Sequence, residues 1–326
     1  MIKNQNITKT LIKLTKHHYS NSSEYKKILD FLFIKKFTNL ESLPFLPVNL
    51  FKDLNLKSIP EKSIFKILYS SGTSGNVSKI FLDKFNAESQ IKALNVIFSK
   101  FLGKSRLPML ILDKKISLKD KNKFNAKIAA ILGFSIFGKN HHYLLNEKEE
   151  IDYEGLNKFI RNFGREKFLI FGFTSNVYEN LIERLDNKRL VSNFKNGILL
   201  HGGGWKKMEN KKVNNKIFKF ELTKKINLSK IINYYGLIEQ TGSIFIECEK
   251  CGNFSTSEYS DIIIRGKNFE ALEEGKKGYI QLLSVLPTSY PGHSILTEDL
   301  GTIIRNNCKL CEGKKSFLVH GRVEKS

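Results

Sequence analysis

The stretch Gly197-Ile-Leu-Leu-His-Gly-Gly-Gly204 decides the fold. Gly197 to Leu200 reads as an aliphatic strand that runs directly into His201 and three glycines. An apolar run stopping on a glycine turn marks a buried strand whose carboxyl end leaves room for a close neighbour. The same pattern lies upstream. Phe168 to Phe171 is a second apolar run, followed by Thr174 or Ser175 as a helix cap, and the helix after it carries Val177, Leu181, Ile182 and Leu185 on one side. Leu107 to Leu112 is a third aliphatic run. Strands alternating with helices predict an α/β architecture with a largely parallel sheet and ligands at the carboxyl ends of its strands.

Further toward the N-terminus, Ile64 to Tyr69 reads as a buried strand entering the turn Ser70-Ser71-Gly72-Thr73-Ser74-Gly75. Lys79 to Asp83 gives another strand, and Asn86 caps a helix whose apolar positions are Ile91, Leu94, Phe98 and Phe101. The first sixty residues look helical and then irregular, broken by Pro44, Pro47 and Pro60. Downstream of Gly242 the helical signals fade. Short strands such as Ile262–Arg265 and Tyr279–Leu283, separated by Gly and Pro, predict a smaller β-rich subdomain. The expected organisation is an α/β part over residues 1–241 and a β-rich part over residues 242–326, with no internal repeat.

The 326 residues are 41% hydrophobic and 26% charged, which excludes wholesale disorder and fibrous classes. No apolar run approaches the ~18–20 residues of a spanning helix. The longest, Ile128 to Phe137, is interrupted by Gly133 and Ser135, and Met1 to Lys16 has no apolar signal core. A cytoplasmic location without a membrane span is the expectation. The 54 Lys+Arg against 32 Asp+Glu give a net charge of +22, which first suggests nucleic acid. However, 46 of the basic residues are Lys and only 8 are Arg, the residue whose planar fork suits phosphate and base recognition. Lys, Asn (29) and Ile (35) abound while Ala contributes 6, a skew that follows AT-rich codons. Specific nucleic-acid binding is therefore not expected. Nine lysines fall between Lys206 and Lys230 against Glu209 and Glu221, a local patch suited to an acidic partner.

All four cysteines fall in two pairs, Cys248-Glu-Lys-Cys251 followed by Gly252, and Cys308-Lys-Leu-Cys311 followed by Glu312-Gly313. Two-residue spacing lets both thiolates of a tight turn reach one tetrahedral ion at about 2.3 Å. Two disulfides, free thiols or a redox pair are the alternatives. A cytosolic setting disfavours disulfides, and neither pair has the strand–motif–helix context of a redox motif. A structural four-thiolate Zn2+ site is the expectation.

Ser70 to Lys79 reads SSGTSGNVSK. Two glycines and four hydroxyls in six residues make a loop whose N–H and O–H groups can wrap phosphate oxygens, with Lys79 adding charge. It is not a Walker loop, because Val77 stands where the second glycine is required. The segment resembles the phosphate-binding loop of the acyl-adenylate-forming (ANL) superfamily. Further likenesses follow in order. His201-Gly202-Gly203-Gly204-Trp205-Lys206 looks like the glycine strand-end that flanks adenine. Tyr234-Tyr235-Gly236-Leu237-Ile238-Glu239 looks like the motif whose aromatic lies near adenine and whose Glu helps hold Mg2+. Thr297-Glu298-Asp299-Leu300-Gly301 resembles the aspartate motif that binds ribose, and Gly321-Arg322 the motif whose Arg reaches ribose and phosphate. Within the superfamily, Leu46–Lys52, the serine–glycine loop, HGGGWK and Ser289–Ser294 are similar to the acyl-protein synthetases of bacterial luminescence complexes (LuxE-like).

The resemblance implies an ANL-type adenylation domain spanning residues 1–326, with ATP and Mg2+ as cofactors. It implies attack of a carboxylic, in particular fatty, acid on the α-phosphate of ATP, release of pyrophosphate, and acyl transfer to a separate protein, thiol or amine, an acidic acyl-carrier protein being the acceptor that the lysine patch would suit. Lys79 and Glu239 would be catalytic, with His201 as a candidate base for the acceptor. Ser70, Ser71, Gly72, Thr73, Ser74, Gly75, Gly202, Gly203, Gly204, Tyr235, Gly236, Asp299 and Arg322 would bind the nucleotide. His293 is a weaker candidate, and Trp205 reads as packing. Two departures stand out. Ser78 replaces the usual proline before the loop lysine, and the chain ends at Ser326, so the C-terminal lysine domain and the acyl-accepting cysteine tail are expected to be absent. Two other readings stay open: a catalytically incomplete nucleotide-binding partner subunit, and a basic zinc-ribbon protein that binds nucleic acid.

Overall fold

The strands Phe168–Phe173 and Gly197–Gly202 are apolar on both faces and almost wholly buried, and their neighbours explain why. The computed structural model describes residues 2–34, 36–70, 76–115, 126–305 and 307–323. They form two compact units, Met1–Phe101 together with Gly236–Ser326, and Leu102–Tyr235. The boundary expected at residues 241/242 does not coincide with this division. The first hundred residues join the β-rich C-terminal segment, through long-range pairings that no local pattern announces.

The first unit begins with α1 (Ile2–Asn21) and α2 (Ser23–Phe31). A short strand β1 (Leu46–Pro47), α3 (Leu50–Asp53), β2 (Lys66–Tyr69), β3 (Lys79–Leu82) and α4 (Lys84–Leu102) follow. Strands β2 and β3 pair antiparallel as a separate hairpin. The buried strand expected over residues 64–69 is thus corrected: Lys66 is exposed, Phe65 is 64% exposed and only Leu68 is buried. The cap of α4 is also reassigned. The Asp83 carboxylate accepts the Asn86 N–H at 2.7 Å, while Asn86 sits inside the helix and its buried amide donates to the Leu286 carbonyl at 2.6 Å. Leu94 and Phe98 are buried on this helix, whereas Ile91 is largely exposed.

The second unit alternates strand and helix: β4 (Leu107–Lys114), α5 (Ala126–Ser135), β5 (Gly138–Leu145), α6 (Tyr153–Phe163), β6 (Phe168–Phe173), α7 (Thr174–Val177), β7 (Gly197–Gly202), α8 (Asn215–Ile226) and β8 (Lys230–Tyr235). Its five strands lie in the order β5-β4-β6-β7-β8, every neighbouring pair parallel. Helices on both faces make β6 and β7 near-continuous apolar runs rather than alternating ones. One face packs Leu110, Ile170 and Leu199 against α6 and α8 through Leu156, Phe159, Phe218 and Leu222. On α5, Phe134 meets Phe171 and Tyr234 at 4.7 and 4.9 Å between ring centres. Local signals set the helix ends. Asp152 accepts the Gly155 N–H and Asn214 the Ile217 N–H, both at 3.0 Å, and Asn227 closes α8 with a left-handed φ of 58°. Thr174 is the first residue of α7 rather than its cap. Phe173 occupies the cap position, and the helix continues as a π-helical turn from Tyr178 to Arg184.

The remainder of the first unit is β-rich, as expected downstream of residue 242: β9 (Phe245–Glu247), β10 (Phe254–Ser255), β11 (Ser260–Arg265), β12 (Lys277–Ser284), β13 (Ser294–Ile304) and β14 (Ser316–Arg322). These run antiparallel in the order β11-β12-β13-β14-β10-β9, and β1 joins β13 in parallel. Leu11 of α1 and Leu43 pack on Ile263 and Leu283, covering one face of this sheet. Among the described residues, no helix is long and apolar enough to cross a membrane.

Candidate functional site

In the second unit the carboxyl ends of β6, β7 and β8 bring Phe173, Gly202 and Tyr234 into line, because Phe173 pairs with Gly202 and Gly202 with Tyr234. A Cβ at Gly202 would stand 2.6 Å from the Tyr234 carbonyl oxygen, so only glycine fits this register. Gly203 turns the chain out of the strand with φ of 79°. The glycine run thus leaves backbone bare at a parallel strand end, where open α/β sheets bind ligands. Tyr235, the last residue of β8, is half-buried. His201 is enclosed: its Nδ1 lies 3.0 Å from the Thr174 hydroxyl and its ring 4.8 Å from that of Phe218. Burial, and then the positive charge of Lys219, pull its pKa down to about 3, so the ring is neutral. Among the described residues its buried Nε2 has no hydrogen-bond partner. Trp205 packs on Tyr178 and Phe218, as expected.

The first unit holds the acidic candidates. Glu239 lies in a tight turn, Ile238–Gln240, after Gly236, and is 5% exposed. Burial raises its carboxyl above the ordinary value, opposed by the Ser78 hydroxyl and then by the positive charges of Lys52 and Arg322. A carboxylate whose burial disfavours the charged form is stabilised by positive charge, and Lys52 and Arg322 act on Glu239 in that sense. Asp299 on β13 pairs in register with Arg322 on β14. The Thr297 hydroxyl accepts the Asp299 N–H at 3.1 Å, which fixes the backbone of the aspartate motif. A polar string runs alongside: Lys52 Nζ donates to Asn49 at 3.0 Å, Asn49 donates to Glu298 at 2.8 Å, and Arg322 lies 4.0 Å from Glu298. Arg322 is otherwise exposed and free to swing toward an anion. Ser70 and Ser78 close the base of the serine–glycine loop, Ser78 N–H donating to the Ser70 hydroxyl at 2.8 Å and Ser70 N–H to the Ser78 carbonyl at 3.1 Å. Ser71, Gly72, Thr73, Ser74 and Gly75 lie outside the described residues. Lys79 follows as the first residue of β3.

Four thiols gather elsewhere in the first unit. Cys248 and Cys251 occupy the turn between β9 and β10, and Cys308 and Cys311 the connection from β13 to β14. Because β10 pairs with both β9 and β14, the two turns come together. All four sulfurs lie within 4.8 Å of one another, with Cys248–Cys308 at 3.8 Å and Cys251–Cys311 at 3.7 Å. These separations exclude disulfides and match the edge of about 3.8 Å in a tetrahedron of 2.3 Å zinc–sulfur bonds. Burial first, and then the neighbouring thiols, push the Cys311 thiol up to about 12, while Ser255 donates to its sulfur at 3.4 Å. Four clustered thiols are costly to ionise without a cation, and the donor set fits one soft divalent ion.

Of the residues singled out in the sequence, Lys79, Gly236, Glu239, Asp299 and Arg322 belong to the first unit, and His201, Gly202, Gly203, Gly204 and Tyr235 to the second. His293 is fully buried. The Thr15 hydroxyl donates to Leu11, so His293 Nε2–H must donate to Thr15, at 2.9 Å, and the ring centre lies 4.9 Å from that of His18 at a tilt of 31°. It is a packing histidine. Lys52 and Ser78 were missed as neighbours of Glu239. The only sequence signals were the position of Lys52 in the Leu46–Lys52 stretch and the serine standing where the loop pattern has proline.

A family model described as acyl-protein synthetase, LuxE, matches residues 2–326. Solved structures share the fold at low identity. A 2-hydroxyisobutyryl-CoA ligase bound to R3-HIB-AMP aligns with a TM-score of 0.75 at 11% identity, covering 98% of this chain and 68% of its own. ATP-bound MatB from Rhodopseudomonas palustris aligns with a TM-score of 0.51 at 13% identity, over 81% of this chain and 49% of its own. No curated protein matches.

Proposed function

Because the chain belongs to the acyl-protein synthetase (LuxE) family of adenylate-forming ligases, we propose that it activates a carboxylic acid at the expense of ATP and hands the acyl group to a separate acceptor. In the first step a carboxylate oxygen attacks the α-phosphorus. The bond to the β-phosphate oxygen breaks, and pyrophosphate leaves behind an acyl-AMP. In the second step a thiol, amine or hydroxyl attacks the acyl carbon, AMP departs with the bonding pair, and the acceptor's proton passes to solvent or to AMP.

Both reactants of the first step are anionic, so the site must cancel charge and hold them in line. Lys79 and the loop residues Ser70–Gly75 would bind the phosphates. Mg2+ held by Glu239 would neutralise phosphate charge. Asp299 would take the ribose hydroxyls, Arg322 the ribose and phosphate, and Gly202–Gly204 with Tyr235 and Gly236 would flank the base. The enclosed, neutral His201 is better suited to positioning than to proton abstraction: with Thr174 it would fix the strand end on which the glycines turn. For the acid we favour an apolar, fatty chain; the half-buried Phe173 at the end of β6 lies 3.2 Å from where a Cβ on Gly203 would stand. A structural Zn2+ on Cys248, Cys251, Cys308 and Cys311 would pin the β9–β10 and β13–β14 turns.

For the acceptor we favour an acidic carrier protein, drawn to the lysine-rich stretch around α8. Lys211 and Lys212 are partly neutralised there by Glu183 and Glu209 at 2.7 and 2.8 Å, which leaves the exposed Lys216 and Lys224 as the stronger attractors. The observation that carries the reading is Glu239, buried beside Ser78, Lys52 and Arg322, with Asp299 opposite that arginine. The test is carboxylate-dependent ATP–pyrophosphate exchange across fatty, aromatic and small acids. Exchange with a subset of acids, lost in Glu239→Ala with zinc content intact, is expected. A folded, zinc-loaded chain that exchanges with no acid would instead be the catalytically incomplete partner subunit.

A further inference from the structure

The short helix α3 is tied to three of the nucleotide-site candidates at once, all of them within the first unit. Toward the first, Asp53 accepts the amide of Asn76 at 3.4 Å, and Asn76 directly follows the serine–glycine loop. Toward the second, Asn49 donates to Glu298 at 2.8 Å, and Glu298 lies 4.0 Å from Arg322. Toward the third, Phe51 is fully buried with its ring edge-on to that of Tyr290, 6.3 Å between centres. Gly292 fits between the Tyr290 ring and the Glu239 turn. A Cβ on it would stand 2.6 Å from the Glu239 carbonyl oxygen, and Gln240 donates to its carbonyl at 2.8 Å. Strand β1 sets the approach: Leu46 and Pro47 pair with Ile295 and Leu296, and the Val48 N–H donates to the Leu296 carbonyl at 2.9 Å. The chain therefore enters α3 beside the aspartate motif at 297–301.

Held from three sides, the helix backbone is fixed while the Lys52 side chain stays exposed. Its Nζ donates to the amide oxygen of Asn49 at 3.0 Å, and among the described residues no carboxylate forms an ion pair with it. An amide oxygen is a neutral acceptor, and a charged oxygen within reach makes the stronger hydrogen bond. Net charge does not single Lys52 out, since Asp53 and Glu298 keep theirs nearby. Its place does. Lys52 adjoins the residue that anchors the loop exit, is linked through Asn49 and Glu298 to Arg322, and its positive charge acts on the buried Glu239. A phosphate is the anion that a hydroxyl-rich loop and an arginine hold in common, and the ammonium of Lys52 stands between the anchors of both.

Resting on the adenylation reading above, we propose that Lys52 is a further nucleotide-binding residue, its ammonium leaving Asn49 for a phosphate oxygen of ATP. Equilibrium dialysis of the full chain against radiolabelled ATP with Mg2+, and in parallel against radiolabelled adenosine, tests it without requiring turnover. Lys52→Gln should weaken ATP about tenfold or more and change adenosine by less than about twofold, because only ATP offers a charged oxygen. Lys52→Arg keeps the charge and should recover most of the ATP affinity. Lys52 is exposed, so neither variant should move the melting temperature. Unchanged ATP affinity in Lys52→Gln would overturn the proposal, and so would an equal loss for ATP and adenosine, which would make the lysine a prop for the local fold. Unchanged ATP affinity with a raised KM for the acid in the exchange assay would give Lys52 to the substrate carboxylate instead. A parent chain that binds no ATP would defeat the adenylation reading itself and this assignment with it. A parent chain that binds ATP as tightly as Lys52→Gln leaves that reading standing and removes only Lys52 from it.

Discussion

Asp299 stands directly opposite Arg322 across the β13–β14 pair, so two motifs separated in the chain lie side by side on neighbouring strands. Arg322 is tied only loosely to Glu298, at 4.0 Å, and its guanidinium is largely exposed. If both residues grip the nucleotide, removing either loses a charge-assisted contact of about 1.5–3 kcal/mol. Arg322→Ala should raise KM for ATP by roughly ten- to a hundredfold in the exchange assay. The Asp299→Ala, Arg322→Ala double variant should lose less than the sum of the singles, since the residues act on one ligand.

Glu239→Gln keeps the side chain's size and removes its charge. Exchange should fall by about a hundredfold or more, as for other groups that stabilise charge in the transition state. Raising Mg2+ should not restore it. Because burial disfavours the ionised carboxyl, the variant should melt no lower than the parent protein. A lowered melting temperature with normal exchange would make Glu239 a structural residue instead.

The sequence spoke clearly where the physics is local. β6 and β7 were legible because strands covered on both faces read as unbroken apolar runs, and the thiol cluster because ligand spacing within a turn is a local property. The β2–β3 hairpin was not, since an apolar run does not say whether its partner is parallel or antiparallel. Asp83 and Asn86 compete for the same cap. The contest is settled by Leu286, whose carbonyl takes the Asn86 amide from two hundred residues away. The cations that act on Glu239 were hidden for the same reason: Lys52 follows β1, which pairs with β13, and Arg322 ends β14, which pairs with β13 from the other side.

Gly202→Ala places a methyl 2.6 Å from the Tyr234 carbonyl and 2.7 Å from its ring. The strand pair must part, at a cost of about 1–3 kcal/mol. Lower thermal stability and loss of exchange are expected together. Gly204→Ala meets open space and should leave stability unchanged.

Zinc should be found at one ion per chain by elemental analysis, and Cys311→Ser should lose it. Removing the ion leaves four thiols crowded within 4.8 Å, so chelation should loosen β9, β10 and β14 first. Hydrogen exchange in those strands would report this before any change in α6 or β6. Full metal retention by Cys311→Ser would argue against the four-thiolate site.

Three buried histidines set how the protein responds to acid. His201 and His293 have pKa values lowered to about 3, each mainly by burial, and His18 is held well below its ordinary value by burial and by the neighbouring His293 and His17. Tautomers follow from the partners: the Pro287 carbonyl takes the His18 Nε2–H at 3.1 Å, so Nδ1 accepts the Ser58 hydroxyl at 2.8 Å. A second proton, on Nδ1, would force the Ser58 hydroxyl to turn from donor to acceptor. Below the unfolded value of about 6.5 the unfolded chain binds protons that the folded chain refuses, so stability falls as pH falls. The loss runs from about pH 6.5 down toward about pH 3, at up to about 1.4 kcal/mol per pH unit per group. His142 and His320, lowered but only part-buried, add smaller contributions. Urea midpoints taken between about pH 7.5 and about pH 5 should show this fall, and His293→Gln should remove about a third of its slope. An unchanged slope in that variant would place the acid sensitivity outside the His18–His293 stack.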